Sequence, residues 1–311
     1  MKKYLIIRYS FFFTLLLFSF AFTADAISQD NSQGIEKADS PQYRTSEKDS
    51  IIFRVFDIEG VSDEYKRKIV EGIRLSYVYS PDIEVPLAIF DSLTASRPDR
   101  PEGYFLKSVL FYILYSANPK KALSDSLRYY SNEAIKITEE LMKDDPDNKY
   151  YKFYLGAAYG NMGLYYLKNR SYWKAYRNGK KGKNYLEKAL KADPDFGDAQ
   201  FGIGIFYYYA DVLTKYIKPL LFIIGMSGDS EKGLRLLEES LKNSSLSQVE
   251  ARDFLSRFYS RYEGRREEAE QYMLQLYIAF PDNPWYLYNL SVFYYESGDY
   301  KGIMSGTFGS D

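Results

Sequence analysis

The chain has 311 residues, 46% hydrophobic and 18% aromatic, which is enough apolar side chain to bury a substantial core. Its 41 basic and 42 acidic residues nearly cancel, so no bulk field points to a nucleic-acid backbone or an anionic membrane as the partner. Histidine and cysteine are both absent, which excludes disulfides, thiol catalysis, imidazole-activated nucleophiles, and metal sites built on imidazole or thiolate.

Residues 1–26 carry the three parts of a secretory signal peptide: Lys2, Lys3 and Arg8, an apolar run from Phe11 to Phe22, and Ala24-Asp25-Ala26 as a small-x-small cleavage signal. The run is shorter than the roughly 20 residues a spanning helix needs, so cleavage after Ala26 is the better reading than a permanent anchor. No cysteine follows it, which excludes a lipid-modified N-terminus. Cleavage removes three basic residues and one acid, leaving a net charge of −3. The expected destination is the envelope or periplasm of a bacterium. Residues 27–50 are rich in Ser, Gln, Asp, Asn and Lys and read as a flexible tether, because they bury too little apolar surface to offset the entropy of ordering. Residues 51–61 read as an extended lead-in.

From residue 62 the pattern is helical. Ser62 suits an N-cap, Asp63 and Glu64 occupy the first turn where the helix dipole favours acids, and Ile69, Val70 and Ile73 form one apolar face. Paired helices are expected at 62–79 with 84–96, 101–117 with 119–144, 148–168 with 171–192, 196–215 with 230–243, 248–263 with 265–280, and 284–297 with an unfinished partner. The segment from Ile217 to Ile224, containing Pro219, reads as an apolar loop interrupting the fourth hairpin. It is either buried against neighbouring helices or exposed as a peripheral membrane or partner contact. Past a turn at Gly298-Asp299-Tyr300, residues 304–311 are expected to be a disordered or truncated tail.

An internal repeat underlies this pairing. Pro-Asp recurs at Pro98, Pro146, Pro194 and Pro281. Seven residues after each proline stands an aromatic (Phe105, Phe153, Phe201, Tyr288), ten after it a small residue (Ser108, Gly156, Gly204, Ser291), and thirteen after it another aromatic (Phe111, Tyr159, Tyr207, Tyr294). Offsets of three keep these residues on one helix face, with the small residue as a notch for a neighbouring helix. The last interval is nearly double the others and holds two hairpins, with Ser244-Ser245 replacing the missing Pro-Asp.

Proline, small and aromatic residues at these offsets resemble the tetratricopeptide repeat superfamily over residues 62–303, although most intervals exceed its usual 34-residue unit. The resemblance implies an all-α, right-handed superhelical solenoid of about five to six antiparallel helical hairpins. Between Asp198 and Pro284, the run Gly202-Ile203-Gly204-Ile205-Phe206-Tyr207-Tyr208-Tyr209-Ala210-Asp211-Val212-Leu213, with Gly225-Met226-Ser227-Gly228-Asp229, Gly233-Leu234, Tyr262-Glu263 and Pro281-Asp282-Asn283-Pro284, is similar to exported bacterial tetratricopeptide proteins of unassigned activity. More distantly it resembles the eukaryotic family that includes an inclusion-body clearance protein. This narrower resemblance implies a scaffold and supplies no catalytic residue.

Other constellations are weaker. The adjacent carboxylates Glu139-Glu140, Asp144-Asp145, Glu238-Glu239 and Glu267-Glu268 do not converge on one point, so they read as solvated charge and not as a general acid and base. Gly202-x-Gly204 lies inside a helix and is not a phosphate loop. Arg177, Lys180, Lys181 and Lys183 beside Tyr172, Trp173 and Tyr176 read either as a solvated helix face or as a grip for an anionic polymer.

In a hairpin solenoid the first helix of each pair lines the concave side. One turn from the packing positions stand Tyr112, Tyr150, Asn161, Tyr208, Tyr209, Trp285, Tyr295 and Glu296, a set rich in tyrosine and tryptophan that suits recognition of an extended peptide or amphipathic helix. The expected function is a non-catalytic exported scaffold that binds a protein or peptide along this face. The alternative is an envelope carrier of a small molecule or lipid working with a transporter. No catalytic residue, cofactor, metal or nucleic-acid partner is expected.

Overall fold

The computed structural model describes residues 58–78, 83–221 and 228–297, without the side chains of 214–221 and 296–297. The signal segment, the tether, residues 51–57 of the lead-in, residues 222–224, the turn at 298–300 and the tail 304–311 lie outside the described residues.

Those residues form eleven α-helices and no strand: α1 Asp63–Tyr77, α2 Glu84–Ser96, α3 Glu102–Ala117, α4 Lys121–Asp144, α5 Lys149–Lys168, α6 Tyr172–Ala192, α7 Gly197–Leu221, α8 Ser230–Asn243, α9 Gln248–Phe258, α10 Arg266–Ala279 and α11 Pro284–Ser297. Polar caps set several starts. Ser62 Oγ accepts the Tyr65 N–H, Asn148 Oδ1 accepts those of Tyr150 and Tyr151, and Asp229 Oδ1 accepts that of Lys232. Helix α9 runs into a π turn, Tyr259–Glu263, which ends on Gly264 at φ +68°, a left-handed conformation that favours glycine. Residues 217–221 correct one expectation, since they are helical and not a loop. Helix α7 runs on through Pro219 to Leu221, with the hydrogen bond that its missing N–H would have made given up.

The helices pack as consecutive antiparallel hairpins, and α1, α3, α5 and α7 also touch in sequence, so the odd-numbered helices form one inner layer. The chain is therefore an all-α solenoid. Each repeat offset has a distinct task. The residue at +10 is the notch inside a hairpin: a Cβ on Gly156 would lie 2.7 Å from Leu186 Cγ, and one on Gly204 would lie 2.8 Å from the Gly233 carbonyl. The aromatic at +13 packs on the second helix of its own hairpin, as in the parallel pairs Phe111–Tyr130 and Tyr159–Tyr185 with centroids 5.5 and 6.3 Å apart. The aromatic at +7 instead meets the next repeat, with Phe105 edge-on to Phe153 and Phe201 edge-on to Phe254.

One contact joins residues 206 apart in the chain. Asn283 Nδ2 donates to the Tyr77 carbonyl at 2.8 Å, the Tyr77 ring packs on Phe280, and the Tyr77 hydroxyl donates to Glu250. The end of α1 thereby meets the fifth and sixth hairpins, and the concave side becomes a partly open chamber.

Candidate functional site

The chamber encloses about 880 Å³ and is lined mainly by apolar side chains of the odd-numbered helices, with α6 contributing a further wall. On three of them the inward stripe follows one register, at +7, +11 and +15 from the repeat proline: Phe105, Val109 and Ile113 on α3, Phe153, Ala157 and Asn161 on α5, and Phe201, Ile205 and Tyr209 on α7. Steps of four keep these side chains on one helix face.

Four of the eight residues expected to face a partner converge here. Tyr112 and Tyr209 line the wall half-buried, and burial pushes both hydroxyls up, Tyr209 to about 12. Asn161 is buried and donates to Ser108 Oγ at 3.1 Å. Trp285 Nε1 donates to Asp253 Oδ1 at 3.3 Å. The others do not meet there. Tyr208 is fully buried, stacked 3.8 Å from Phe258 and donating to Glu263, because its position one residue before Tyr209 turns it into the helix contact and not the chamber. Tyr150 packs edge-on to Phe196 at the joint between hairpins, outside the chamber lining. Tyr295 is 66% exposed on α11 and is not part of the lining. Glu296 lies in α11, and its side chain is outside the described residues.

The polar side of the chamber comes from α9, where Glu250, Asp253 and Arg257 share one face. Arg257 Nη2 lies 2.5 Å from Asp253 Oδ2, and its guanidinium covers the Phe254 ring at 4.4 Å. The α9 hairpin, like the first, has no preceding Pro-Asp, so the register that selects Tyr209 has no starting point there. The spacing of 250, 253 and 257 is nevertheless a helical stripe, and that signal is present in the sequence.

Glu250 is set between Tyr77 of α1, Asp253 of its own helix and Asp198 of α7, and burial raises its carboxyl to about 7 while the Tyr77 hydrogen bond works in the opposite direction. A folded-state value above the usual 4.5 means that the folded chain holds a proton the unfolded chain has lost, so stability falls as pH rises from about 4.5 through 7. Glu250→Gln should remove this slope. Urea unfolding of both forms across that range is expected to show a difference that grows by about 3 kcal/mol towards neutral pH, and parallel curves would refute the assignment.

Among the described residues no helix is long and apolar enough to cross a membrane, and no cluster of acidic residues has the arrangement of a metal site. No family model and no curated protein matches the chain. Solved structures do match. TTC0263 of Thermus thermophilus, described as a thermophilic TPR protein, is 16% identical over 74% of this chain and 98% of its own, with a TM-score of 0.44. Human IFIT1, solved as a dimer with PPP-AAAA, is 15% identical over 78% of this chain and 48% of its own, with a TM-score of 0.44. YrrB, described as a TPR protein with an unusual peptide-binding site, is 18% identical over 70% of this chain and 88% of its own, with a TM-score of 0.32. By its own repeat register and its consecutive hairpins, the chain is an all-α solenoid similar to tetratricopeptide repeat proteins.

Proposed function

We propose that the chain is an exported, non-catalytic binding scaffold that takes an apolar segment of a protein or peptide into the chamber between its odd-numbered helices. The observation that carries this reading is the convergence of Tyr112, Asn161, Tyr209 and Trp285 on one apolar wall. Tyrosine and tryptophan add contact area with a polar tip at little entropic cost, and the α9 ion pair offers hydrogen-bonding groups to a peptide backbone. Export rests on the signal-like pattern of residues 1–26.

Tyr209→Ala combined with Trp285→Ala should lower partner capture at least about 10-fold while far-UV circular dichroism stays unchanged, since each aromatic anchor contributes on the order of 1–2 kcal/mol. Affinity capture from envelope extract with the wild type and the double variant reads this directly, and equal recovery of the same protein by both would remove the chamber from the binding site.

A carrier of a small amphiphile is the second reading. The contact of Tyr77 with Asn283 and Glu250 supports it, because it bounds one end of a cavity whose volume is within the range of small-ligand pockets, roughly 300–1,000 Å³. Native mass spectrometry of the purified chain separates the two readings: a retained lipid-sized mass favours the carrier, and a retained peptide favours the scaffold.

A further inference from the structure

The outer face of α6 is predominantly basic, with Glu187, paired to Lys183, as its one acid. Between Tyr172 and Leu186 that helix contains no acidic residue, and Trp173, Arg177, Lys180, Lys188 and Lys191 are all exposed on it. Steps of four and three from Trp173 to Lys180, then one of eight across the neutral Asn184 to Lys188 and one of three to Lys191, keep them on one helix face about 27 Å long at 1.5 Å per residue. Lys181 and Lys183 differ from the others, since each has a carboxylate partner, Glu139 at 3.6 Å and Glu187 at 2.7 Å. Among the described residues no ion pair neutralises Arg177, Lys180, Lys188 or Lys191. Lys180 and Lys188 lie over the rings of Tyr176 and Tyr185, 5.7 and 5.1 Å from the centroids, a placement in which the stems cover apolar surface and the ammonium groups stay in water. Trp173, 54% exposed, stands at the N-terminal end of the row.

We propose that this face docks on the surface of an anionic phospholipid bilayer. The whole chain carries a formal charge of −1, so the row is a local concentration of positive charge and not part of a general excess. An adjoining face of α6, through Tyr176, Gly179 and Lys183, lines the chamber, which leaves the row on the outer surface. A single-stranded nucleic acid is held in a groove with a series of aromatic platforms, and this row has one exposed ring at its end and no groove. A planar headgroup layer matches a straight row of cations, with an indole at one end suited to the interfacial depth. Docked in this way, the chain faces the membrane with α6 and keeps its chamber independent of the contact.

The test is co-sedimentation of the full chain with vesicles of phosphatidylcholine alone and of phosphatidylcholine mixed with phosphatidylglycerol, at low and high salt. The wild type should partition to the anionic vesicles and be released by salt. Arg177→Gln with Lys180→Gln should weaken partitioning about 25-fold, at about fivefold for each cation near the surface. A blue shift of tryptophan emission on binding should vanish in Trp173→Phe, because Trp285 sits in the chamber. The apolar stretch Phe11–Phe22 is the same in every variant, so the difference between variants reports on α6 alone. Equal sedimentation of wild type and charge variant, or equal binding to neutral and anionic vesicles, would overturn the proposal. Tighter binding of single-stranded RNA than of vesicles, with the same sensitivity to the two substitutions, would also overturn it and assign the face to nucleic acid.

Discussion

Asp198→Ala is expected to cost about 4 kcal/mol and to release the turn at Ser244–Ser247, because two buried backbone donors and one half-buried one lose their acceptor together. Asp198 is 2% exposed. Its Oδ1 accepts the N–H groups of Leu246 and Ser247 at 2.9 and 2.8 Å and the Ser247 hydroxyl at 2.7 Å, and its Oδ2 accepts the Ser245 N–H at 3.0 Å. Burial alone raises the carboxyl, and these four donors oppose that shift. Each orphaned donor costs about 1–3 kcal/mol, and entry of water together with relief of the carboxylate's desolvation brings the sum down. Asp198→Asn keeps one acceptor oxygen but turns an NH₂ towards the Ser245 N–H, so it should lose about half as much. In a repeat array the damage is local at first, so hydrogen exchange at Leu246 and Ser247 is the direct readout, alongside the denaturant midpoint. A shift below about 0.5 kcal/mol with unchanged exchange would show that the turn holds itself.

Gly204→Leu should unfold the hairpin of α7 and α8 locally, and a pair of alanine variants shows why. The backbones of these two helices meet at Gly204 and Gly233, where a Cβ on either would lie 2.8–2.9 Å from main-chain atoms of the other helix. Alanine in place of glycine favours a helix by about 0.5–1 kcal/mol, and overpacking costs about 1–3 kcal/mol. At Gly204 the clash is with a carbonyl that moves only with its helix, so Gly204→Ala is a net loss. At Gly160, on α5, a Cβ meets nothing within 4 Å, so Gly160→Ala should be a net gain. Leucine at position 204 adds three further carbons to the same contact and should remove the hairpin's cooperative unfolding. Calorimetry of the three variants checks the order, and a stabilised Gly204→Ala would show that the two helices separate without cost.

The repeat register made the fold legible. Ser108, Gly156 and Gly204 are buried as the notch reading requires, and helix ends fall within two residues of the expected ones except at α7, where residues 217–221, expected as a loop, are helical, and at α9, whose last expected turn, 259–263, is a π turn. The chamber was legible in part. Tyr209 and Asn161 share the offset that faces inward, whereas Tyr208 is one residue, about 100° of helix rotation, away and belongs to the core. The aromatics at +7 proved to be chamber wall as well as packing, since a residue joining two adjacent repeats on the concave side does both.

Periodicity, notch residues and caps are local properties, spaced within a few turns of one helix, so the amino-acid sequence alone determined the helices, their pairing and the inner layer of odd-numbered helices. The curvature that brings Tyr77 against Asn283 and Glu250 sums small rotations over five hairpins, and no short-range pattern encodes that sum. For that reason the tertiary structure decided that the groove is a chamber, that Glu250 is buried there, and that Asp198 holds a turn 47 residues away.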